Sequence, residues 1–169
     1  MNERDRTRIF VTVGAQIPFD RLVRTVDAWA GGRADVECFA QIGEGGVVPR
    51  NMPWTELLPP GRFREELQRA DLVVAHAGMG TIISALQYSK PLLVMPRRAV
   101  LRETRNDHQV ATADRFAELQ GISVARDEAE LLAALASRVG GGGAAIDADV
   151  GAHASPELLA AVRRFLSER

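Results

Sequence analysis

The stretch "VVAHAGMGTIISAL" (residues 73–86) decides the fold class. Its first half is a continuous apolar run ending at His76, and its second half repeats apolar residues at helical spacing. Gly78 and Gly80 stand between the two. A buried strand that turns tightly into a helix gives this pattern. The two glycines remove side chains where the backbone amides of the helix begin. Free N–H groups and the positive end of the helix dipole make such a turn an anion site. Thr81 adds a hydroxyl able to donate to a phosphate oxygen. A plain tight turn that needs glycine for a positive φ would look the same, so the stretch alone leaves both readings open. Ile82, Ile83 and Leu86 are expected on the buried face of the helix, with Thr81 and Ser84 on another.

Working outward, strand-like and helix-like segments alternate. "RIFVTV" (8–13), "VECFAQIG" (36–43), "WTELL" (54–58), "DLVVAHAG" (71–78), "PLLVMP" (91–96) and "GISVA" (121–125) read as strands. Helices are expected over 19–30, 61–70, 79–89, from 106 or 107 to 120, and 127–139. Asn106 or Asp107 serves as N-cap of the fourth and Gly121 as its C′ stop. "GGGG" (140–143) and the small residues to 154 read as a linker. Ser155, Pro156 and Glu157 then signal a terminal helix over 155–168. The organisation expected is a domain over 1–139, a linker over 140–154 and a terminal helical segment over 155–169.

Continuously apolar strands alternating with helices imply a doubly wound α/β domain, a parallel sheet covered on both faces. Ligands of such sheets bind at the carboxyl ends of the strands. That directs attention to residues 14–19, 43–46, 76–81 and 96–109.

Composition narrows the function classes. The chain has 169 residues, 46% hydrophobic and 25% charged, with a net charge of −1, so bulk electrostatics give no reason to expect nucleic acid. Cys38 is the sole cysteine, which precludes an internal disulfide, fits a reducing compartment, and reads as a small buried hydrophobe. "MNERDRTR" (1–8) does not read as a signal peptide, and no apolar run approaches the roughly 20 residues of a membrane span. The sequence contains neither a P-loop nor a G-x-G-x-x-G after its first strand, and the second strand ends in Gln41 rather than an acid, which argues against NAD. His76, His108 and His153 have no metal-ligand spacing, so no metal is expected. No G-x-S-x-G elbow is present.

"RRAVLRETRNDHQ" (97–109) is the second candidate. Arg97, Arg98, Arg102 and Arg105 stand against one acid, Glu103, within 97–105. This is either a solvated loop or a site for phosphate or anionic sugar. Asn106, Asp107, His108 and Gln109 start the next helix on the same rim.

Together, "VTVGAQIPFDRLV" (11–23), "ADLVVAHAGMGTI" (70–82), "KPLLVMPR" (90–97) and "NDHQ" (106–109) resemble the C-terminal domain of family 28 glycosyltransferases. The likeness spans about residues 8 to 125. It is strongest to the stand-alone catalytic subunits of two-component UDP-sugar transferases. These include the eukaryotic UDP-N-acetylglucosamine transferase subunit of dolichol-linked oligosaccharide synthesis. They also include bacterial exopolysaccharide subunits that add glucuronic acid or galactose, which segment 96–109 resembles most.

The resemblance implies a Rossmann-like fold, the donor-binding half of a GT-B enzyme. Gly78, Met79, Gly80 and Thr81 would hold the UDP diphosphate, and Asn106, Asp107, His108 and Gln109 would face the donor sugar. Gly14, Ala15 and Gln16 would flank the reacting centre, and the uracil would sit near residues 58–63. Relatives often carry an acid where this chain has Ser84, a departure at the ribose. Arg97 and Arg98 are candidates for charge compensation at the diphosphate or for the carboxylate of a glucuronosyl donor. His76 and His108 are candidates for the general base, which the resemblance otherwise assigns to a partner.

The expectation is an inverting hexosyltransfer from a UDP-sugar, needing no metal or further cofactor, to a lipid-diphosphate-linked acceptor in exopolysaccharide synthesis. A membrane-anchored, acceptor-binding partner subunit would hold the chain at the cytoplasmic face of the membrane. The alternative is a non-catalytic UDP-sugar-binding or stabilising subunit.

Overall fold

The structure is a computed structural model. It describes residues 6–139 and position 160. The linker expected over 140–154, the terminal segment over 155–169 apart from that position, and His153 lie outside the described residues.

Six parallel strands form the sheet: β1 (Thr7–Thr12), β2 (Val36–Gln41), β3 (Trp54–Thr55), β4 (Leu72–His76), β5 (Leu92–Met95) and β6 (Ile122–Val124). Their spatial order is β3-β2-β1-β4-β5-β6. Val11 is level with Ala40 on one side and Val74 on the other, and Val74 with Leu93. All five residues of β4 and all four of β5 are buried, as expected of central parallel strands covered on both faces.

Successive strand residues face opposite ways, and this splits the core into two layers. Val11, Val74 and Leu93 meet α1 (Asp20–Ala30) through Leu22 and Val26, and α5 (Glu128–Val139) through Leu131 and Leu135. Phe10, Val73 and Leu92 meet α2 (Pro60–Arg69) through Leu67, α3 (Met79–Gln87) through Ile82 and Leu86, and α4 (His108–Phe116) through Phe116. The chain leaves β1 toward the first layer and β4 toward the second. Because β1 and β4 are neighbours, their carboxyl ends part and open a crevice, the position where such sheets bind ligands.

Several boundaries differ from the sequence expectation. β2 stops at Gln41, and β3 has two residues rather than five. α4 ends at Phe116 because two tight turns follow, Leu119 N–H to the Phe116 carbonyl and Ile122 N–H to the Leu119 carbonyl, each 3.1 Å. Gly121, at φ +86°, therefore opens β6 instead of closing a helix. Asp107 occupies the N-cap position of α4 without a side-chain cap, and the Asn106 Oδ1 accepts the His108 N–H at 3.3 Å. On α3, Thr81 is buried and Ile83 only half-buried, so its inner face is rotated toward the crevice from that expected. Cys38 is buried, and burial pushes its thiol up to about 12, which leaves it an inert core group.

Candidate functional site

Thr12 is the last residue of β1 and is wholly buried, and its Oγ1 donates to Gln41 Oε1 at 2.8 Å. The Gly14 N–H donates to the same Thr12 hydroxyl at 3.2 Å. This ties the start of the first loop to β2 and lets it bend at Gly14, where φ is +79°. The bend has a second cause. A Cβ on Gly14 would lie 2.7 Å from Cε1 of His76, and a Cβ on Gly78 would lie 2.0 Å from its Nε2. The imidazole at the end of β4 is therefore clasped between two glycine backbones.

Burial, reinforced by the positive charge of Arg97, holds His76 down at about 4, the nearby Thr12 backbone partly offsetting both. The ring is neutral at physiological pH, and its Nδ1 has no partner among the described residues. Gly78 is at φ −92° and Gly80 is not at positive φ, so backbone conformation does not explain glycine at either. Gly78 clears His76. A Cβ on Gly80 would meet nothing within 4 Å.

No side chain caps the N-terminus of α3. Its first amides, which lack acceptors within the helix, open on a cleft of about 810 Å³. Gly14, Ala15, Gln16, His76, Gly78, Met79, Gly80, Thr81, Ser84, Arg97, His108 and Gln109 line it, as does the segment at Leu58, Pro60 and Phe63. The cleft thus gathers three of the four strand-end segments that the sequence singled out, residues 43–46 not lining it, together with the segment near 58–63 that the resemblance implied. Ser84 Oγ donates back to the Gly80 carbonyl at 2.8 Å, which leaves its oxygen free to accept.

Arg97 lines the cleft but is only 3% exposed. Its Nη2 donates to the carbonyls of Val13, at 2.9 Å, and of Ile17. Burial pulls it down to about 10, with Glu103 opposing, so it remains a cation at neutral pH. Its backbone N–H is fixed by Gln109 Oε1 at 3.1 Å.

Arg98, Asn106 and Asp107 do not line the cleft. Arg98 is exposed, Asn106 Oδ1 accepts the His108 N–H, and Asp107 Oδ1 accepts the Ala99 N–H at 2.9 Å. Gln41, Arg64, Thr104 and Thr112 line the cleft and were not singled out from sequence. Arg64 is exposed and unpaired among the described residues. It stands directly before the "EEL" of α2 (65–67), and nothing in the sequence marked it. Among the described residues, no group of three or more His, Cys, Asp and Glu is placed to hold a metal. No described helix is long and apolar enough to cross a membrane.

The family description "Glycosyltransferase family 28 C-terminal domain" matches residues 8–138. This chain belongs to that family. Its relatives include the human "UDP-N-acetylglucosamine transferase subunit ALG13", 34% identical over an alignment of 117 residues that covers 62% of this chain and 10% of that protein. The chain therefore spans about a tenth of that relative's length. Among solved structures, the NMR structure of ALG13 superposes with a TM-score of 0.52 at 22% identity, over 81% of this chain and 88% of that one. The glycotransferase of kitacinnamycin superposes with a TM-score of 0.62 at 22% identity, over 99% of this chain and 41% of that one. The family 28 domain here has the Rossmann-like architecture of one half of a GT-B glycosyltransferase.

Proposed function

We propose that this family 28 domain is the donor-binding subunit of an inverting UDP-sugar glycosyltransferase, completed by a second subunit that binds the acceptor. The observation that carries the reading is the N-terminus of α3. Its uncapped amides face the cleft at the β1–β4 crevice, and the room beside Gly80 is filled by none of the described residues. A diphosphate fits that position. Backbone N–H groups and the helix dipole there would stabilise negative charge gathering on UDP as the glycosidic bond breaks, and one well-placed donor of this kind is worth about 3 kcal/mol in a transition state. Arg64 and His108 stand exposed on the rim as further polar groups. The reading needs no resident metal or cofactor.

His76, held near 4, is too weak a base for an acceptor hydroxyl and instead fills the floor under the turn. His108 is the exposed histidine of the cleft and the candidate this chain offers. Otherwise the base comes from the partner, and the chain alone would not transfer sugar. The human relative's name, a UDP-N-acetylglucosamine transferase subunit, supports UDP-N-acetylglucosamine as the first donor to test. Glucuronosyl transfer in exopolysaccharide synthesis rests on the likeness of segment 96–109. It has lost the support of an arginine pair in the cleft, since Arg97 is tied to carbonyls and Arg98 points elsewhere. A lipid-diphosphate acceptor, and a membrane-anchored partner holding the chain at the cytoplasmic face, belong to the same proposal.

Thermal unfolding of the chain with UDP, its N-acetylglucosamine, glucuronate and galactose esters, GDP and NAD tests the donor site. A ligand at about one hundred times its Kd adds roughly 2.7 kcal/mol of stability. A shift with UDP species alone is expected. A shift with NAD or GDP and none with UDP, by the chain alone and by a co-expressed pair, refutes the reading.

A further inference from the structure

The turn after β5 carries a feature the donor site does not use. Ala99–Leu101 form a single 3-10 turn, with Val100 75% exposed and Leu101 48% exposed at its tip. Arg98, Arg102 and Arg105 around them are exposed, and none has an ion-pair partner among the described residues. Arg24 of α1, also exposed, shares a groove of about 500 Å³ with Leu101 and Arg102.

The nearby acids are engaged with Arg21 or with backbone amides, although Asp20, Glu103 and Glu128 line the same groove and Asp107 is exposed. Glu103 pairs with Arg21 at 2.6 Å and accepts the Arg98 N–H at 3.0 Å. Asp107 accepts the Ala99 N–H at 2.9 Å. Glu128, on the far wall of the groove, is paired with Arg21 at 3.3 Å. Asp20, in the same groove, accepts the Val47 N–H at 2.9 Å. Two carboxylates thus brace the turn from behind, and its outer surface shows two aliphatic side chains ringed by cations.

We propose that this turn is a membrane-contact device, which seats Val100 and Leu101 at the headgroup–acyl boundary of an anionic bilayer while Arg24, Arg98, Arg102 and Arg105 bind lipid phosphates. Single exposed aliphatic residues are ordinary on protein surfaces. Two at the tip of a braced turn, with the neighbouring acids tied to Arg21 or to backbone amides and the four arginines left unpaired among the described residues, are complementary to a surface that is apolar just below a dense anionic layer. Protein interfaces also use arginine, but a protein partner would have to supply an acid for each of the four, whereas an anionic bilayer presents phosphates over its whole surface. Guanidinium groups match phosphate geometry. Arg97 and Thr104, on either side of the turn, line the donor cleft, so the contact would hold that cleft against the membrane. The inference does not depend on the donor assignment.

Sedimentation of the full chain with vesicles of phosphatidylcholine, alone or with about a third phosphatidylglycerol, tests it. Binding to the anionic vesicles only is expected, weakening with salt. Each of R24A, R102A and R105A should lower the partition coefficient roughly fivefold, and Val100→Ser with Leu101→Ser should lower it further. Unfolding temperature and any UDP-induced shift should be unchanged in these variants, which separates this surface from the donor site. Equal binding to neutral vesicles, no binding of the intact chain, or full binding by the V100S/L101S variant overturns the proposal. So does loss of a protein partner in that variant when the intact chain ignores vesicles, which would make the surface a protein interface.

Discussion

Arg97 Nη2 donates to the Val13 carbonyl at 2.9 Å, across 84 positions of sequence, so the cation that follows β5 fastens the loop that follows β1. The same nitrogen reaches the Ile17 carbonyl, and the guanidinium lies 5.1 Å from the centre of the Phe19 ring. The first loop of the cleft is therefore shaped from beneath by a buried charge. Arg97→Met keeps the stem and removes the donors, leaving two carbonyls unpaired. Thermal or urea unfolding should show a loss of about 2–3 kcal/mol, with weaker UDP binding as residues 13–17 loosen. Unchanged stability would mean that the loop holds itself.

His76 and Gly78 should behave as a coupled pair. A methyl group at Gly78 would sit 2.0 Å from His76 Nε2, and the ring is boxed in by Gly14 on its other side. Gly78→Ala should cost about 1–3 kcal/mol through overpacking. In a His76→Ala background the same change should cost much less, and the double-mutant cycle measures the difference. Additive effects would show that the turn yields in some other direction.

The depressed His76 also makes stability pH-dependent. Unfolded, it titrates near its ordinary 6.5; folded, burial and then Arg97 hold it at about 4. Between these values the unfolded chain binds a proton that the folded chain does not. Stability is therefore full above about pH 6.5 and falls as pH drops toward 4, by about 3 kcal/mol in all. His76→Gln should flatten this limb of the curve of unfolding free energy against pH. Identical slopes in variant and parent would place the proton elsewhere.

The sheet, its layers and the placing of three cleft segments were legible because period and punctuation are local; residues 43–46, marked the same way, do not line the cleft. A run such as "LVVAH" needs no partner to declare itself a buried strand. The role of Arg97 was not legible, since its acceptors lie 80 and 84 positions away and are main-chain carbonyls, which carry no sequence signal. The same holds for Asp107 and Glu103. In the sequence Asp107 read as a helix cap or, through the resemblance, a sugar contact, and Glu103 as the one acid of an arginine-rich loop. Folded, they accept the backbone N–H groups of Ala99 and Arg98 at the start of the turn. Arg64 entered the cleft from α2 through a helix whose composition looked like ordinary surface. Gly78 and Gly80 were both legible as glycines that matter, but which of them serves the protein and which a ligand depended on what a Cβ would touch.

That difference gives the sharpest test of the donor site. Gly80 occupies the first turn of α3, exposed, and among the described residues beyond its own turn an added Cβ meets no atom within 4 Å. Alanine is the better helix former by about 0.5–1 kcal/mol, so Gly80→Ala should raise the unfolding temperature. If a diphosphate rests on these amides, the methyl group stands where its oxygens approach, and UDP affinity measured by calorimetry should fall at least tenfold. Greater stability with lost binding is a combination that a merely structural glycine does not produce. Tighter folding with UDP affinity unchanged would remove the α3 amides from the donor site and leave the cleft without its anion-binding element.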